Sequence, residues 1–293
     1  GNICQQLYTM VDTMVVGQIA GVEALAALGA VDFLMWVVTG ISTGLTQGFS
    51  IQLSQYYGAK NFENLRKSLA HSYRLTAFIA VGVFILSQSF ASLILTGLHT
   101  PSNIIGMSLL YLRIIFCGIP ATAAYNMFAS ALRAMGNSKT PLTAMIIASV
   151  LNVSLDILFV AGFGWGVAGA AIATVIAQSF SAVYCFLILR RIDIVHLTRA
   201  DFMPASGMNA RLMKLGIPVV FQNIIIGVGG LVVQYVINSY GFLFVAGFTA
   251  RNKLYGLLEM AAISYGYAIV TYVGQNLGAG KIDRIRKGVR SSM

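Results

Sequence analysis

The chain has 293 residues, of which 57% are hydrophobic and only 10% are charged, and its mean hydropathy is +0.79. Soluble domains carry about 25% charged residues, so this composition excludes an ordinary soluble fold and indicates a surface that largely faces a lipid bilayer. The net charge of +10 does not indicate a nucleic-acid partner, because the basic residues are concentrated in short connectors between apolar segments.

Eight apolar segments follow one another along the chain and are predicted to cross the ~30 Å hydrocarbon core as helices, the first of them cut short at its N-terminal end. They are residues 1–20, 25–56, 70–97, 105–131, 141–161, 167–189, 213–240 and 246–274. The sequence therefore predicts an all-α polytopic membrane protein. Pro120 and Pro218 predict kinks in the fourth and seventh spans. Gly40, Gly44 and Gly48 recur every four residues in the second span and predict the close approach of another helix.

Lysine and arginine are concentrated in every second connector. The basic connectors are 60–74, 133–139, 190–214 and 281–290. No lysine or arginine occurs in the intervening connectors, near 20–24, 97–104, 162–166 and 241–245. The positive-inside rule places the basic connectors in the cytoplasm and predicts a multi-pass protein of the cell membrane.

The end of the second span is repeated at the end of the eighth, 220 residues later. Three residues match: Gln55, Gly58 and Ala59 reappear as Gln275, Gly278 and Ala279. Six spans separate the copies, so both enter the membrane from the same side, which predicts parallel repeats. We expect a six-helix first lobe at 1–195, a linker at 196–212 and the first two helices of a second lobe at 213–293.

The chain begins at Gly1 inside an apolar segment and ends just after a basic run. Two lobes of six helices would give about twelve spans, so we expect about four further spans in the complete protein. At full length we expect the protein to be a monomer.

Two carboxylates lie inside predicted spans, Asp12 in the first and Asp156 in the fifth. A charge at the bilayer centre costs about 2.5–3.5 kcal/mol, so such residues are rare and usually mark ion or proton pathways. Asn152 lies one turn before Asp156, Tyr8 lies one turn before Asp12, and Thr174 lies in the sixth span. These five residues predict an oxygen-lined cation site, in which Asp12, Asn152 and Asp156 hold Na⁺ or the carboxylates bind a proton. The alternative is that both carboxylates only hydrogen-bond to neighbouring helices.

Weaker candidates lie in the later spans. Gln222 and Asn223, which follow Pro218, and Glu259 in the eighth span are predicted to line a substrate cavity. For Glu259, and for Asp32 in the second span, a structural role is an equally good interpretation.

The sequence contains no recognisable catalytic motif. Gly280-Lys281 is followed by Ile282, which excludes a phosphate-binding loop. Cys4, Cys117 and Cys185 share no close spacing and predict neither a metal cluster nor a disulfide framework. We expect no enzyme activity and no cofactor, and any transport must draw on an ion gradient or on a separate motor protein.

Five segments, in this order and spacing, resemble the multidrug and toxic compound extrusion (MATE) family. They are QQLYTMVDTMVVGQIAGVEALAALGA, SQYYGAKNFENLRKSL, ALRAMGNSKTPLTAMIIASVLNVSLDILFVAGFGWGVAGAAIATVIAQ, KLGIPVVFQN and VGQNLGAGKIDRIRKGVR. The resemblance implies two six-helix lobes around a V-shaped cavity, which opens alternately to either side and exports small organic cations in exchange for H⁺ or Na⁺. By motif match, it also implies a first-lobe cation site at Asp12, Asn152, Asp156, Thr174 and Tyr8.

The chain departs from the family at one position and leaves two alternatives open. One branch of the family carries a seventh-span glutamate, but the corresponding PVVFQNIII contains no acid, so a second-lobe coupling site would depend on Glu259. One alternative is a lipid-linked oligosaccharide flippase of the same superfamily, whose cavity would need several cations. The other is a non-transporting membrane protein. The small number of intramembrane Arg and Lys residues favours the exporter, whereas the substrate and the choice between H⁺ and Na⁺ stay open.

Overall fold

The computed structural model describes the backbone of residues 2–292 and their side chains, except those at 2–9, 253, 257, 258 and 260–262. The α-helices of this part are α1 (Asn2–Ile19), α2 (Val22–Gly58), α3 (Phe62–Gly97), α4 (Ile105–Cys117), α5 (Ile119–Ala134), α6 (Lys139–Asp156), α7 (Gly166–Arg190), α8 (Met208–Asn238), α9 (Phe242–Gly278) and α10 (Ile282–Ser292). A π-helical stretch, Ile157–Gly162, continues α6, and two 3₁₀ turns lie between α7 and α8. No strand occurs between residues 2 and 292, so the predicted all-α fold is confirmed.

The helices correspond in order to the eight predicted spans. Within the described residues, α2, α3, α6 with its π-helical extension, α7 and α8 are each long and apolar enough to cross a membrane alone. Helices α4 and α5 are long and apolar enough only when taken together, and they are bent by 48° relative to each other. The bend lies at Gly118, two residues before Pro120, so the predicted kink in the fourth span is confirmed. Helices α1 and α9 take the places of the first and eighth spans.

The third helix extends beyond the predicted third span. Helix α3 begins at Phe62, eight residues before the predicted boundary, because the side chain of Asn61 accepts a hydrogen bond from the backbone N–H of Asn64 and caps the helix. The basic residues Arg66 and Arg74, which we expected in a connector, therefore lie on the first turns of a helix.

Helix α8 packs against the glycine row of α2. A Cβ at Gly48 would overlap the backbone of Gly216, and one at Gly44 would lie 2.9 Å from the backbone of Val220. The two helix backbones are therefore closer than they could be if these glycines carried a Cβ atom. The close approach predicted for the row that starts at Gly40 is confirmed.

The internal repeat is present in the structure. Both ends of α9 lie 220 residues after those of α2, and α10 begins 220 residues after α3. The glycines that precede α2 and α9, Gly21 and Gly241, both adopt positive φ angles, 92° and 85°. Only glycine reaches this backbone region without strain, so the two copies enter their helices in the same way.

The two copies also contact each other reciprocally. The α-carbon of Gly58 lies against the backbone oxygen of Gln275, and that of Gly278 lies against the backbone oxygen of Gln55. A two-fold axis between α2 and α9 produces such an exchange of partners, so the parallel repeat is confirmed. The Gln275 side chain also donates to the backbone oxygen of Ala134, 2.8 Å away, which joins α5 to the same end of the bundle.

The segment between α7 and α8 is held on α3. The Asp201 carboxylate accepts hydrogen bonds from the backbone N–H and the hydroxyl of Thr198, at 2.7 and 2.8 Å, and lies 3.8 Å from the Arg66 guanidinium. The ring of His71, which is buried on α3, lies 3.1 Å from the backbone oxygen of Met203. These contacts fix the path of the chain into α8.

Replacing Asp201 with alanine should destabilise this segment. The substitution removes the acceptor for the Thr198 N–H and hydroxyl, so we expect the free energy of unfolding to fall by about 1–2 kcal/mol. Thermal unfolding of the detergent-solubilised full-length protein, followed by circular dichroism, measures the change. The control is Asp193→Asn, at an exposed carboxylate in the neighbouring turn, and it should change the value by less than about 0.5 kcal/mol. Equal effects of the two substitutions would contradict the prediction.

Candidate functional site

The last turn of α6 presents Asn152 and Asp156 on one face. Both side chains are fully buried, with 0% of their surface exposed. The helix changes from α to π after Asp156, and within this stretch the N–H of Phe163 bonds to the oxygen of Leu158, 2.9 Å away. Such π-helical stretches are rare and occur frequently at functional sites. The local backbone is therefore irregular at the point where a carboxylate is buried.

Helix α1 brings a second carboxylate to this region. Asp12 is 3% exposed. Helix α1 packs against both α6 and the π-helical stretch, and Val16 and Val160, one turn beyond each carboxylate, belong to the same buried apolar cluster. Two acidic groups thus share a low-dielectric region, where the repulsion between two ionised carboxylates is much stronger than in water.

Helix α7 contributes polar groups to the same region. The Asn152 amide nitrogen lies 3.4 Å from the hydroxyl oxygen of the half-buried Thr174, at the long end of hydrogen-bond distances. One turn later on α7 lies Gln178, which is buried and which the sequence analysis missed. The sequence feature that could have identified Gln178 is its position four residues after Thr174 within an apolar run. Tyr8 belongs to α1, but its side chain is outside the described residues.

Several oxygens of the site have no hydrogen-bond partner. Within the described residues, this holds for both carboxylate oxygens of Asp156 and for the side-chain oxygen of Asn152, all of them buried. A buried acceptor without a partner costs about 1–3 kcal/mol, and more when it is charged. A proton on Asp156, or a small hard cation bound between these oxygens, would remove that cost. The part of the chain with described side chains contains no cluster of three or more His, Cys, Asp or Glu residues that could hold a metal ion.

The residues predicted to line a substrate cavity lie on α8 and α9. The Asn223 amide donates to the backbone oxygen of Gly40, 3.0 Å away, so this side chain joins α8 to α2. Gln222, the preceding residue, is exposed. Glu259 is exposed on α9, beside positions whose side chains are outside the described residues.

Comparison with known proteins places this arrangement in a family. Residues 1–158 and 218–293 match the MatE family model. The chain is 31% identical over 285 residues to the probable multidrug resistance protein YpnP of Bacillus subtilis (strain 168), a match that covers 97% of this chain and 64% of YpnP. It is 29% identical over 297 residues to YoeA, another probable multidrug resistance protein of that bacterium, with 99% and 64% covered.

A solved structure shares the fold. The outward-facing conformation of a multidrug resistance MATE family transporter of the MOP superfamily superimposes with a TM-score of 0.88 at 22% identity, covering 99% of this chain and 64% of that one. The chain thus spans 64% of the length of these relatives. Since the family model matches most of its residues, the chain belongs to the MATE family, whose members are membrane transporters rather than enzymes.

Proposed function

We propose that the protein is a secondary antiporter that exports organic cations across the cell membrane in exchange for H⁺ or Na⁺. The observation that carries this proposal is the pair of buried carboxylates, Asp12 and Asp156, with oxygens of Asp156 and Asn152 that lack hydrogen-bond partners among the described residues. The names of YpnP and YoeA, both probable multidrug resistance proteins, support a drug-like substrate.

The coupling ion acts through the repulsion between the two carboxylates. When Asp12 and Asp156 are both ionised, their repulsion in a low-dielectric region favours their separation, whereas a proton or Na⁺ bound at the site permits close packing of α1 against α6. An ion shifts a conformational equilibrium only by its differential affinity for the two states. A site whose carboxylates are close together in one state and apart in the other binds the ion with different affinities in the two states. Thr174 and Tyr8 are the further oxygen donors that we propose for the bound ion.

The proposed cycle needs two lobes that move relative to each other. We propose the lobe boundaries expected from the sequence, 1–195 and 213–293 joined by the linker 196–212, with the basic connectors in the cytoplasm. The reciprocal contacts of α2 and α9 then lie at the cytoplasmic end, where they support closure of that side. Gln222 and Glu259, both exposed on the second-lobe helices, are the candidates for contact with the organic cation.

Uptake of a fluorescent cationic dye into inside-out vesicles tests the function, because export from the cytoplasmic face is directed into the lumen of such vesicles. The vesicles contain the full-length protein, and either a pH gradient without Na⁺ or a Na⁺ gradient without a pH difference is imposed. We expect dye movement with one of the two gradients, and its loss when a matched ionophore collapses that gradient. Transport that persists without either gradient, or that requires ATP, would show that the protein is not an ion-coupled antiporter.

A further inference from the structure

Two apolar grooves lie side by side on the outer surface of the first six spans. The first, of about 320 Å³, lies between α3 and α5, and the second, of about 310 Å³, lies between α5 and α7. Ala124, Phe128 and Phe186 line both grooves, so the two aromatic side chains form a ridge between them. The ring centroids of Phe128 and Phe186 are 5.2 Å apart, a normal distance for packed aromatic rings.

The grooves open towards lipid. Val81, on the wall of the first groove, is 52% exposed, and Val183, on the wall of the second, is 57% exposed. Phe78, on the same face of α3 as Val81, is 81% exposed. None of the residues that line either groove belongs to α8 or α9. In a membrane-spanning bundle, apolar side chains exposed on the outer surface contact acyl chains.

The first groove is slightly shorter than one leaflet. Its wall extends along α3 from Tyr73 to Val81, nine residues with an axial rise of about 12 Å. Half of the hydrocarbon core is about 15 Å thick. Phe186 lies one turn before Arg190, the last residue of α7, so both grooves run inward from the basic end of the bundle.

The positively charged side chain of Arg190 lies at the end of the ridge. The guanidinium of Arg190 lies 5.7 Å from the centre of the Phe186 ring, and the residue is exposed. We propose that the two grooves and Arg190 bind a diacyl phospholipid with an anionic headgroup, one acyl chain on each side of the Phe128–Phe186 ridge and the phosphate on Arg190. Basic residues at the cytoplasmic ends of membrane helices attract anionic headgroups, whereas the same arginine would repel an organic cation.

Native mass spectrometry of the delipidated full-length protein tests the site, with phosphatidylglycerol and phosphatidylcholine as the probes. We expect about fivefold tighter binding of phosphatidylglycerol, and an equal affinity for both lipids in Arg190→Gln. Ala124→Phe, which fills the shared wall of both grooves, should weaken the binding of both lipids by about fivefold or more. Val183→Trp fills the second groove from its exposed rim and is the second variant if Ala124→Phe does not fold.

Matched controls separate this site from general contact with lipid. Arg191→Gln removes a neighbouring exposed charge, and Val150→Phe enlarges a side chain that is 65% exposed on α6, away from both grooves. Both variants should bind lipid like the wild type. Retained headgroup preference in Arg190→Gln, equal losses in Arg190→Gln and Arg191→Gln, or unchanged binding in both groove-filling variants would each overturn the proposal. Displacement of the lipid by a cationic dye would also overturn it and assign the grooves to the transported substrate.

Discussion

Asp156→Asn should reduce gradient-driven dye efflux by roughly 5–150-fold, the usual range of the coupling between two binding sites. Asparagine has nearly the same shape as aspartate, but it can neither release a proton nor supply a negative charge for Na⁺. Dye transport would then no longer be driven by the ion gradient, although the substrate cavity itself stays intact. Rates of dye uptake into inside-out vesicles with equal protein content, which report export from the cytoplasmic face, measure the effect.

The same substitution should not destabilise the fold. Asp156 is buried and its carboxylate oxygens have no hydrogen-bond partner among the described residues, so a neutral amide removes an unfavourable buried charge from the bundle. We expect the thermal unfolding temperature of Asp156→Asn to equal or exceed that of the wild type. This separates a loss of coupling from a loss of structure.

Glu23→Gln is the matched control for Asp156→Asn. Glu23 is exposed in the first turn of α2, and its carboxylate accepts a hydrogen bond from the Asn103 amide, 3.1 Å away. Its neutralisation should leave efflux within about twofold of the wild type, since surface substitutions rarely change stability by more than about 0.5 kcal/mol. Wild-type efflux by Asp156→Asn would remove Asp156 from the proposed mechanism.

Gly48→Ala should separate α8 from α2 and lower the free energy of unfolding by about 1–3 kcal/mol. The added Cβ would overlap the α-carbon of Gly216, and it would lie 2.6 Å from the nitrogen of Gly216 and 2.7 Å from the carbonyl carbon of Leu215. These are backbone atoms, so no change of rotamer relieves the overlap and the whole helix must move. Thermal unfolding of the full-length protein in detergent measures the loss.

Gly82→Ala controls for the intrinsic effect of replacing a glycine in a helix. Gly82 lies inside α3, and a Cβ there would meet no atom within 4 Å. Alanine is the better helix former by about 1 kcal/mol, so this variant should be at least as stable as the wild type. If Gly48→Ala and Gly82→Ala have the same effect, the close approach of α2 and α8 is not what stabilises their contact.

The outlines of the fold follow from the sequence because lipid restricts the choice of structure. Each span must be long and apolar and must satisfy its own backbone, so hydropathy locates the apolar part of each spanning helix, although not the residue at which the helix begins. The repeat was readable because Gln55 and Gly58 reappear as Gln275 and Gly278, and the structure places each of these glycines against the other copy. The close approach of another helix at the glycine row that starts at Gly40 could be predicted because only small side chains let two helix backbones approach this closely.

The polar residues of the candidate site could also be predicted individually from the sequence. A carboxylate inside an apolar span is costly, so Asp12 and Asp156 stand out in their segments without any knowledge of the fold. The spacing of Asn152 and Asp156 on one helix face follows from the geometry of an α-helix. Gln178 escaped notice because an amide in an apolar run is a weaker signal than a charge.

The sequence by itself determined which segments are long and apolar enough to cross the membrane, where the repeat lies and which carboxylates lie buried in the first and fifth spans. The tertiary structure decided that α1, which carries the buried Asp12, packs against α6, which carries the buried Asp156. It also decided that a π-helical stretch follows Asp156 and that Asp201 holds the segment between α7 and α8 on α3. It also decided which apolar faces pack together and which form grooves. The physical reason is that acyl chains are as apolar as leucine, so the side chains of a span do not distinguish a face that contacts lipid from one that contacts another helix.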